Sequence, residues 1–594
     1  MRHNQVVLSV IALGLILANL SACGVPAASP TSSITQTFPA TPAKPIPTVS
    51  PTLAPTDTPI PAALPQEHRI AIRVVGGAGE FYDRLSGEKF ISRGNNFIRV
   101  AAQKGYSGET FTYHSVFNTN LYNPTEVETA LSRMEAEGYN VVRVFIQGSC
   151  AEFCLGDPVS GLLDGYIANI ADFLQKAKSH HIYVIVTADG EPGSPYYNRL
   201  LDTTWSENFG GNNKSYLTGG GVLVGRQFWQ DLVAELKAQN APLDAILAYE
   251  LRNELFFDSD AAPLSFSSGS FTTANGKTYD MDSADDRQKM MDENLLYWID
   301  QVRGAILERD PTALVTVGFF VPQKPNPTRI GDPRLIETRP VIWESSLDFI
   351  DLHPYPGFGV SLPIYAENFG MQGAEAKPIV MGEFGAVRSS YSSEANAAMD
   401  MQDWQVQSCQ LGFDGWLFWT YDMPDQVFYN AISGAGEINQ VLAPTNRPDP
   451  CQAGDFDFIE QDLALGASAE ASRYLPDQPP SGAVDGTGSI WWGAGDFAPQ
   501  WILIDLGAPQ SIGTIRLVVT QSPAGETLHQ VWVGASVDDL HLLHTFEGYT
   551  IDGQVLEFSP DNPLENVRYI RVNTRQSPSW VGWKEIEVLA PGRK

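Results

Sequence analysis

Two glutamates lie in similar surroundings, each close to the end of an apolar run. Glu254 belongs to ILAYELRNELFF and Glu383 to PIVMGEFG. Two carboxyl groups that face one site can divide a reaction between them, one as acid and base and the other as nucleophile. Glu250 precedes Glu254 by four residues and is the alternative partner. The elements that carry these side chains decide between the two pairs.

Other familiar catalytic signals are absent from the sequence. It contains no H-E-x-x-H, no G-x-S-x-G and no complete P-loop, since NGKT lacks the earlier glycine of that motif. No dinucleotide-binding fingerprint follows the first predicted strand. The formal net charge of −31 argues against nucleic acid as a partner, because phosphate binding needs clustered Lys and Arg.

Residues 67–460 alternate apolar runs with amphipathic helical stretches such as PTEVETALSRMEAEG. Eight runs have the composition of buried parallel strands. They are KFISRGNNFIRV, NVVRVFI, IYVIVTADG, AILAYEL, LVTVGFF, DFIDLHPY, PIVMGEFG and GWLFWTYD. Eight strand–helix units predict an α/β fold of the (β/α)8 TIM-barrel type, and an open doubly wound sheet is the alternative.

In such a barrel the carboxyl ends of all strands meet at one mouth. Glu254 follows the fourth strand and Glu383 ends the seventh, so we expect both side chains there. Carboxyl groups about 5–5.5 Å apart suit retaining glycoside hydrolysis, in which one protonates the leaving oxygen and the other attacks the anomeric carbon. The acid of the pair needs a raised pKa. Glu250 would point into the barrel and need a partner such as Arg143, so we interpret it as structural.

Four motifs in this order, ELRNEL, DLHPYP, VMGEFG and GWLFWTYD, resemble clan A glycoside hydrolases and are most similar to family 5, the cellulase and mannanase family. The resemblance extends over about residues 67–458. It implies that Glu254 is the acid/base and Glu383 the nucleophile. No cofactor or metal ion is implied for catalysis.

The same resemblance implies roles for five further residues. Asn253 would hydrogen-bond the sugar 2-hydroxyl, and Arg143 would lie near the nucleophile. His353 and Tyr355 match a sixth-strand His-x-Tyr motif, with Tyr355 beside the nucleophile. Trp419 would lie under the cleaved sugar.

Two positions depart from the family pattern. Leu255 replaces the usual proline after the acid/base, and TADG at the end of the third strand lacks a frequent histidine. These departures concern the exact family and substrate more than the two glutamates. Three other carboxyl groups near strand ends are interpreted as rim or solvated residues: Glu152, Asp189 and Glu191.

Two long insertions, residues 191–221 and 256–283, follow the third and fourth strands. Aromatic- and Asn-rich loops at the carboxyl ends of barrel strands predict a substrate groove, with plain loop decoration as the alternative.

Residues 1–66 contain two segments that precede the barrel. An apolar run too short to span a bilayer comfortably ends in LSACG, which resembles a bacterial lipobox. The resemblance implies a signal peptide at residues 1–22, lipidation of Cys23 and an extracellular protein anchored to the cell membrane; an ordinary secretory signal is the alternative. Residues 23–66 are dominated by Pro, Thr, Ala and Ser and predict a tether that reaches on the order of 100 Å.

Four further cysteines form an even set, which in an exported protein favours two disulfides. The simplest pairing is Cys150–Cys154 and Cys409–Cys451. A zinc site is disfavoured, because the spacing matches no zinc pattern and no histidine cluster lies nearby.

Residues 461–594 show short strands and turns without a long helix, which is typical of a small all-β sandwich. ALGASAEAS, AVDG, WW, PQWILIDLG, YIRV and KEIEV resemble the discoidin, or factor V/VIII C-type, fold. In bacterial glycosidases this fold commonly serves as carbohydrate-binding module family 32, which implies sugar binding at loop tips. Trp492 and Trp501 match core positions. The candidates for sugar binding are Tyr474, Trp491 and Trp580.

The discoidin-like fold often holds a structural calcium ion. Asp485 and Glu585 are the candidate ligands in this chain. The usual second acidic residue after DG is Thr487 here, so the expected calcium site is incomplete in the sequence.

Together these features predict a membrane-tethered, monomeric, retaining glycosidase that acts on a β-mannan or β-glucan polysaccharide as an endo-mannanase or endo-glucanase type. Two alternatives remain: a non-catalytic surface glycan-binding lipoprotein on a barrel scaffold, and a transglycosylase that uses the same two glutamates. The sugar, its linkage and the endo or exo mode do not follow from the sequence.

Overall fold

The computed structural model describes residues 67–591, apart from 149, 203–207, 321–337, 357–359, 372–375, 392, 424–426, 433–435, 455–461 and 487–489. The predicted signal peptide, Cys23, the tether and the predicted domain boundary at residues 460 and 461 lie outside the described residues. In the part that is described, no helix is long and apolar enough to cross a membrane.

The strands of the first domain alternate with helices along the chain. The strands are β1 (Ile70–Val75), β2 (Ala78–Asp83), β3 (Ser92–Asn96), β4 (Val100–Lys104), β5 (Thr110–His114), β6 (Val141–Ile146), β7 (Gly156–Asp157), β8 (Gly161–Leu162), β9 (Tyr183–Ala188), β10 (Ile246–Glu250), β11 (Ser270–Thr272), β12 (Thr278–Asp280), β13 (Leu314–Thr316), β14 (Gly318–Phe320), β15 (Ile350–His353), β16 (Ile379–Phe384) and β17 (Gly415–Phe418). The helices are α1 (Pro124–Ala136), α2 (Asp164–Ser179), α3 (Pro195–Asp202), α4 (Asn213–Leu217), α5 (Gly219–Ala238), α6 (Ala284–Leu307), α7 (Thr338–Glu344), α8 (Leu362–Phe369), α9 (Glu394–Gln410) and α10 (Glu437–Leu442).

The central sheet closes into a barrel of parallel strands in the order β13-β10-β9-β6-β3-β17-β16-β15-β14. Its two end strands are halves of the single predicted strand LVTVGFF, interrupted at Val317: β13 pairs with β10, and β14 pairs with β15. The sheet therefore returns on itself through eight strand positions. The predicted TIM barrel is confirmed, and the open doubly wound alternative is wrong.

Strand alternation explains why a charged side chain lies inside this barrel. In β6 one set of side chains packs outward against the helix layer: Val142, Val144 and Ile146. The intervening residues point inward, and Val141 belongs to the apolar cluster of the barrel interior. Because side chains alternate between the two faces of a strand, Arg143 shares the interior with Val141.

A hairpin of β1 and β2 covers the amino-terminal end of the barrel. Ile70 and Phe81 join the interior cluster of Leu247 and Val380, and the ring of Phe81 packs edge-on against Phe349 at 5.1 Å. With this end closed by apolar side chains, the carboxyl ends of the strands are the side available to a substrate.

The two predicted insertions contain secondary structure and are tied together. Residues 191–221 include α3, α4 and the start of α5, and residues 256–283 include the β11–β12 hairpin. The Asn212 backbone N–H donates to Asp258 Oδ2 at 2.6 Å, and Asn213 Nδ2 donates to the Asp258 carbonyl at 2.9 Å. The two insertions therefore form one wall beside the third and fourth strands.

The second domain consists of two antiparallel sheets. Its strands are β18 (Ser468–Ala471), β19 (Trp492–Gly493), β20 (Gln500–Ile512), β21 (Thr514–Val519), β22 (Gly525–Gly534), β23 (His541–Thr550), β24 (Val555–Phe558), β25 (Leu564–Gln576) and β26 (Gly582–Leu589). The sheets are ordered β18-β20-β25-β22-β23 and β19-β26-β21-β24, which agrees with the predicted all-β sandwich. Trp492 is fully buried in its core. Trp501 is only half-buried and lies under the Arg571 guanidinium at 4.5 Å, so its predicted core position is wrong.

Both predicted disulfides, Cys150–Cys154 and Cys409–Cys451, form in the described part of the chain. A buried hydrogen bond links the two domains: Asn396 Nδ2 on α9 donates to Glu587 Oε1 on β26 at 3.1 Å.

Candidate active site

Glu254 lies just beyond β10 in a backbone conformation that residues other than glycine seldom adopt. Its φ is 42°. The neighbouring backbone is anchored on both sides: Asn253 N–H donates to the Ala188 carbonyl at 2.8 Å, and Leu255 N–H to the Gly318 carbonyl at 3.2 Å. Such strain costs on the order of 1–3 kcal/mol and concentrates at functional sites. The anchored backbone holds the side chain at the barrel mouth, 8% exposed.

Glu383 is near the end of β16 and is 1% exposed. Arg143 Nη1 donates to its Oε1 at 2.6 Å, and the Tyr355 hydroxyl donates to its Oε2 at 2.7 Å. Burial and the negative charge of Glu383 raise the pKa of Tyr355 well above its usual value, so the hydroxyl keeps its proton and remains a donor. Both carboxylate oxygens are therefore held in place.

Arg143 uses all five N–H groups of its guanidinium. Nε donates to Glu250 Oε2 and Nη2 to Glu250 Oε1, both at 2.7 Å. Nη1 donates to Asn96 Oδ1 at 3.0 Å as well as to Glu383, and Nη2 also donates to Asn253 Oδ1 at 2.7 Å. Five is the full donor capacity of an arginine side chain. One buried cation thus ties together strands β3, β6, β10 and β16 and the loop that carries Glu254.

Glu250 has the partner that the sequence predicted. Besides the two bonds from Arg143, its Oε2 accepts the Thr187 hydroxyl at 2.9 Å, and the side chain is fully buried. With both oxygens engaged below the mouth, Glu250 is a structural group.

His353 lies between the carboxylates. Its Nδ1 is 3.4 Å from Glu254 Oε1 and 3.7 Å from Glu383 Oε1, and its Nε2 is 3.6 Å from Asp351 Oδ1. Burial alone would lower the pKa of His353, but the charge of Glu383 and the contacts with Asp351 and Glu254 raise it to about 10. These neighbouring charges favour the imidazolium form of the ring at neutral pH.

Two clusters of three side chains have the donor types of a metal site: Glu254, His353 and Glu383, and Glu250, Asp351 and His353. In each, one donor atom per residue lies within 4.8 Å of the other two. His353 belongs to both, and a metal ion at either cluster would have to displace a proton from a ring whose pKa is raised to about 10. The first cluster also shows that a carboxylate oxygen of Glu254 lies within 4.8 Å of one of Glu383.

Asn253 and Trp419 flank the same mouth. Asn253 Oδ1 accepts a hydrogen bond from Arg143 Nη2, so the amide nitrogen of Asn253 is the atom left to face a ligand. Trp419 is half-buried and meets the rings of Phe145 at 5.8 Å and His114 at 6.3 Å, both nearly perpendicular to it. All seven residues named by the motif resemblance are brought to one end of the barrel.

The structure adds an aromatic wall that the sequence reasoning missed. His114, on β5, stacks on Phe145 with ring centroids 4.1 Å apart. Burial and the positive charge of Arg143 lower the pKa of His114 to about 3, so the ring is a neutral imidazole. No motif marks this residue, because it comes from a hairpin after the first barrel strand.

Asp189 is not a solvated rim residue, and the earlier interpretation of it is wrong. The Tyr113 hydroxyl donates to its Oδ1 at 3.1 Å, while its buried Oδ2 has no hydrogen-bond partner among the described residues. Burial raises the pKa of Asp189 to about 7. Besides burial, the charges of Asp189 and Glu254 both raise the pKa of Tyr113. Tyr113 and Asp189 therefore lie close to Glu254, the acid/base candidate.

Of the three sugar-binding candidates of the second domain, two line the same cavity and the third does not. Trp491 and Trp580 line a cavity of about 590 Å³, together with Phe497 and Gln478. Trp580 is 55% exposed, as a ring that stacks on a ligand must be. Tyr474 is exposed but is not among the residues that line this cavity.

The expected calcium ligands fit such an ion in part. Glu585 is fully buried, its Oε2 has no hydrogen-bond partner among the described residues, and burial together with Asp485 raises its pKa to about 10. A carboxyl group in this state would gain a counter-charge from a divalent cation. Glu585 and Asp485 would hold the ion; Thr487 lies outside the described residues.

A TIM barrel with two buried glutamates at its carboxyl-end mouth, one of them hydrogen-bonded by an arginine, is typical of glycoside hydrolases. The model of the family described as cellulase (glycosyl hydrolase family 5) matches residues 103–423, and that of the F5/8 type C domain matches residues 465–587. The first match covers more than half of the 594 residues. The chain belongs to glycosyl hydrolase family 5 and carries a C-terminal F5/8 type C domain.

Solved structures similar to this chain include enzymes and binding modules. An exo-beta-1,4-mannosidase from Opitutaceae bacterium strain TAV5 is 17% identical over 62% of this chain and 58% of its own, with a TM-score of 0.39. A beta-mannanase from the blue mussel Mytilus edulis is 20% identical over 65% of this chain and 99% of its own, with a TM-score of 0.38. The family 32 module of C. perfringens NanJ, in complex with galactose, is 19% identical over 22% of this chain and 98% of its own, with a TM-score of 0.20. No curated protein sequence matches the chain.

The carboxyl group of Asp189 generates a prediction about the surroundings of Glu254. Asp189→Asn keeps the size of the side chain and removes its charge, which weakens the hydrogen bond from the Tyr113 hydroxyl to Oδ1. We expect kcat/KM to fall about tenfold, because Tyr113 and Asp189 lie close to the acid/base candidate. Asp300→Asn, at an exposed position of α6, is the matched control. Equal kinetics for the two variants would contradict a role of Asp189 in the site.

Proposed function

We propose that this protein is a retaining glycosidase that cleaves β-glycosidic bonds of a β-mannan or β-glucan polysaccharide by double displacement. Glu383 is the nucleophile and Glu254 the acid/base. The observation that carries the proposal is the approach of their carboxylate oxygens to within 4.8 Å. Retaining enzymes place the two groups about 5–5.5 Å apart, whereas inverting enzymes leave about 6.5–9.5 Å for a water molecule.

The hydrogen bonds around the pair support this division of roles. Arg143 and Tyr355 hold the two oxygens of Glu383, which favours an ionised, aimed carboxylate and suits a nucleophile. Glu254 lies on strained backbone just beyond β10 and is the second carboxyl group at the mouth, which suits the proton donor to the leaving oxygen.

In the first step, a carboxylate oxygen of Glu383 attacks the anomeric carbon while the bond to the leaving oxygen breaks. Glu254 gives its proton to that oxygen, so the sugar becomes an ester of Glu383 and Glu254 becomes a carboxylate. In the second step, Glu254 takes a proton from water, and the water oxygen attacks the anomeric carbon. The ester bond breaks, and Glu383 leaves as a carboxylate.

The surroundings support a sugar substrate at this pair. Trp419, Phe145 and His114 form an apolar wall on one side, and a neutral His114 can both donate and accept hydrogen bonds with hydroxyl groups. The two insertions, hydrogen-bonded to each other, follow the third and fourth strands at the same end of the barrel. The β-mannan or β-glucan assignment rests on the family and on the four motifs that led to it.

The second domain is proposed to hold the enzyme on glycan through the cavity of Trp491 and Trp580. The lipobox at Cys23 and the tether of residues 23–66 motivate the proposal that the monomeric protein is anchored outside the cell by lipid. Calcium at Asp485 and Glu585 would be structural.

Single alanine substitutions test the two glutamates. Glu254→Ala should lower kcat on polysaccharide by about 10²- to 10⁴-fold. It should spare kcat/KM on substrates with activated leaving groups, because their departure in the first step needs no protonation, although hydrolysis of the ester is still slowed. Glu383→Ala should lose hydrolysis of both. Azide should rescue each variant with opposite stereochemistry, giving a β-glycosyl azide with Glu254→Ala and an α-glycosyl azide with Glu383→Ala.

The exposed Glu152→Ala is the control for these variants and should retain wild-type kinetics. Undiminished activity in either glutamate variant would contradict the assignment. Glycan binding without hydrolysis in the unmodified chain would favour the non-catalytic alternative, and transfer of sugar to added acceptors in place of water would favour a transglycosylase.

The aromatic cavity gives a separate prediction. Trp580→Ala should weaken binding to insoluble polysaccharide about tenfold, equivalent to about 1.4 kcal/mol, and leave kcat on a short soluble substrate unchanged. Tyr549→Ala removes another exposed aromatic ring from the same domain, outside the residues that line the cavity, and should bind as the wild type does. Identical losses from both variants would contradict the assignment of the cavity.

A further inference from the structure

A carboxylate lies beneath His353, on the strand that carries it. Asp351 precedes His353 by two residues on β15, and both side chains are 0% exposed. Asp351 Oδ1 is 3.6 Å from His353 Nε2, and neither Asp351 oxygen has a hydrogen-bond partner among the described residues. A buried carboxylate without hydrogen bonds is costly unless a positive charge offsets it, and the imidazolium is the cation in contact.

Two glycines on the adjacent strands leave the space that this arrangement occupies. A Cβ on Gly382 of β16 would lie 1.9 Å from Asp351 Oδ1. A Cβ on Gly318 of β14 would lie 2.4 Å from Glu250 Oε1 and 3.0 Å from His353 Cε1. The sequence thus keeps side chains out of the region where the buried charges meet.

We propose that Asp351 is a positioning residue that holds His353 as an imidazolium, whose Nδ1–H faces the negative charge of Glu383 and of Glu254 in turn. This inference rests on the proposed double displacement and deepens it.

The reaction moves one negative charge between two places that His353 already faces. In the free enzyme the charge is on Glu383, whose Oε1 is 3.7 Å from Nδ1. When Glu383 becomes the glycosyl ester, Glu254 has given up its proton and carries the charge, with Oε1 at 3.4 Å from Nδ1. His353 keeps both ring protons throughout. A fixed cation between the two sites stabilises both states without reorganisation.

Asp351 is the partner that remains charged through both steps. Glu383 loses its charge in the intermediate, and both oxygens of Glu250 are occupied by Arg143. Arg143 itself disfavours a second cation nearby, as burial does. Of the charged groups that face His353, Asp351 alone neither reacts nor is neutralised by a hydrogen-bonded partner among the described residues.

The ionisation of His353 also makes the stability of the folded chain depend on pH. Its pKa in the folded chain is raised to about 10, against an ordinary value near 6.5. The protonated ring therefore contributes its full stabilisation to the folded chain below pH about 6.5, and this contribution is lost as the pH rises through about 10.

Asp351→Asn keeps the size of the side chain and removes its charge. Histidine NMR titration of the full chain, with the His353 resonance assigned from its absence in His353→Gln, reports the ring directly. We expect an imidazolium in the wild type throughout neutral pH and a pKa about 1–3 units lower in Asp351→Asn. Asp348→Asn, which removes the partner of Arg303 at 2.8 Å in the segment just before β15, is the matched control and should leave the His353 titration unchanged.

Kinetics separate this role from a structural one. The kcat of Asp351→Asn relative to wild type should fall as the pH rises from about 6 to 9 and recover as the pH is lowered, because the cation is lost and regained. A pH-independent ratio, or an unchanged His353 titration in the variant, would overturn the proposal. If the variant does not fold, a neutral His353 at pH 7 in the wild type would overturn it, and an imidazolium there would support it. If the NMR titrations come out as expected but the enzyme hydrolyses no β-glycan, the result would refute the proposed function and not the role of Asp351.

Discussion

The guanidinium of Arg143 is the interaction on which the rest of the site depends. It is fully buried, and its five N–H groups donate hydrogen bonds to four partners, which lie on three other strands and on the loop after β10. Such a cation is stable inside a barrel only if every donor is paired and the net charge is offset. Glu250 supplies the bidentate counter-charge, and Glu383 is therefore held by a group that cannot move without breaking the pairing below it.

This constraint explains why the barrel interior is polar at one end and apolar at the other. Apolar side chains and the β1–β2 hairpin fill the amino-terminal end, where Ile70 and Phe81 pack with the inward residues of the strands. Toward the mouth the inward positions hold Arg143, Glu250, Asp351 and His353, each buried and each in contact with an opposite charge. The two glutamates at the mouth stand on this layer of fixed charges, which prepares them for a reaction in which charge moves.

Much of this was visible in the sequence, and the rest was not, for physical reasons. The eight apolar runs with intervening helical patterns were sufficient for the barrel, and strand-end positions were sufficient to select Glu254 and Glu383 over Glu250. The break at Val317, which splits one predicted strand, depends on tertiary pairing with two different neighbours. His114 and Asp189 could not be recognised because their roles come from burial and from contacts with Phe145 and Tyr113, and neither contact leaves a spacing pattern.

The central claim is that a sugar becomes covalently attached to Glu383. The most direct measurement is mass spectrometry of the enzyme after incubation with a 2-deoxy-2-fluoro β-glycoside that has a good leaving group. The fluorine slows both formation and hydrolysis of the ester, and the good leaving group restores the rate of formation alone, so the ester accumulates. Double displacement predicts a mass increase of one fluoroglycosyl group, located on the peptide that contains Glu383. A label on any other residue, or turnover to a product of inverted configuration without a label, would contradict it.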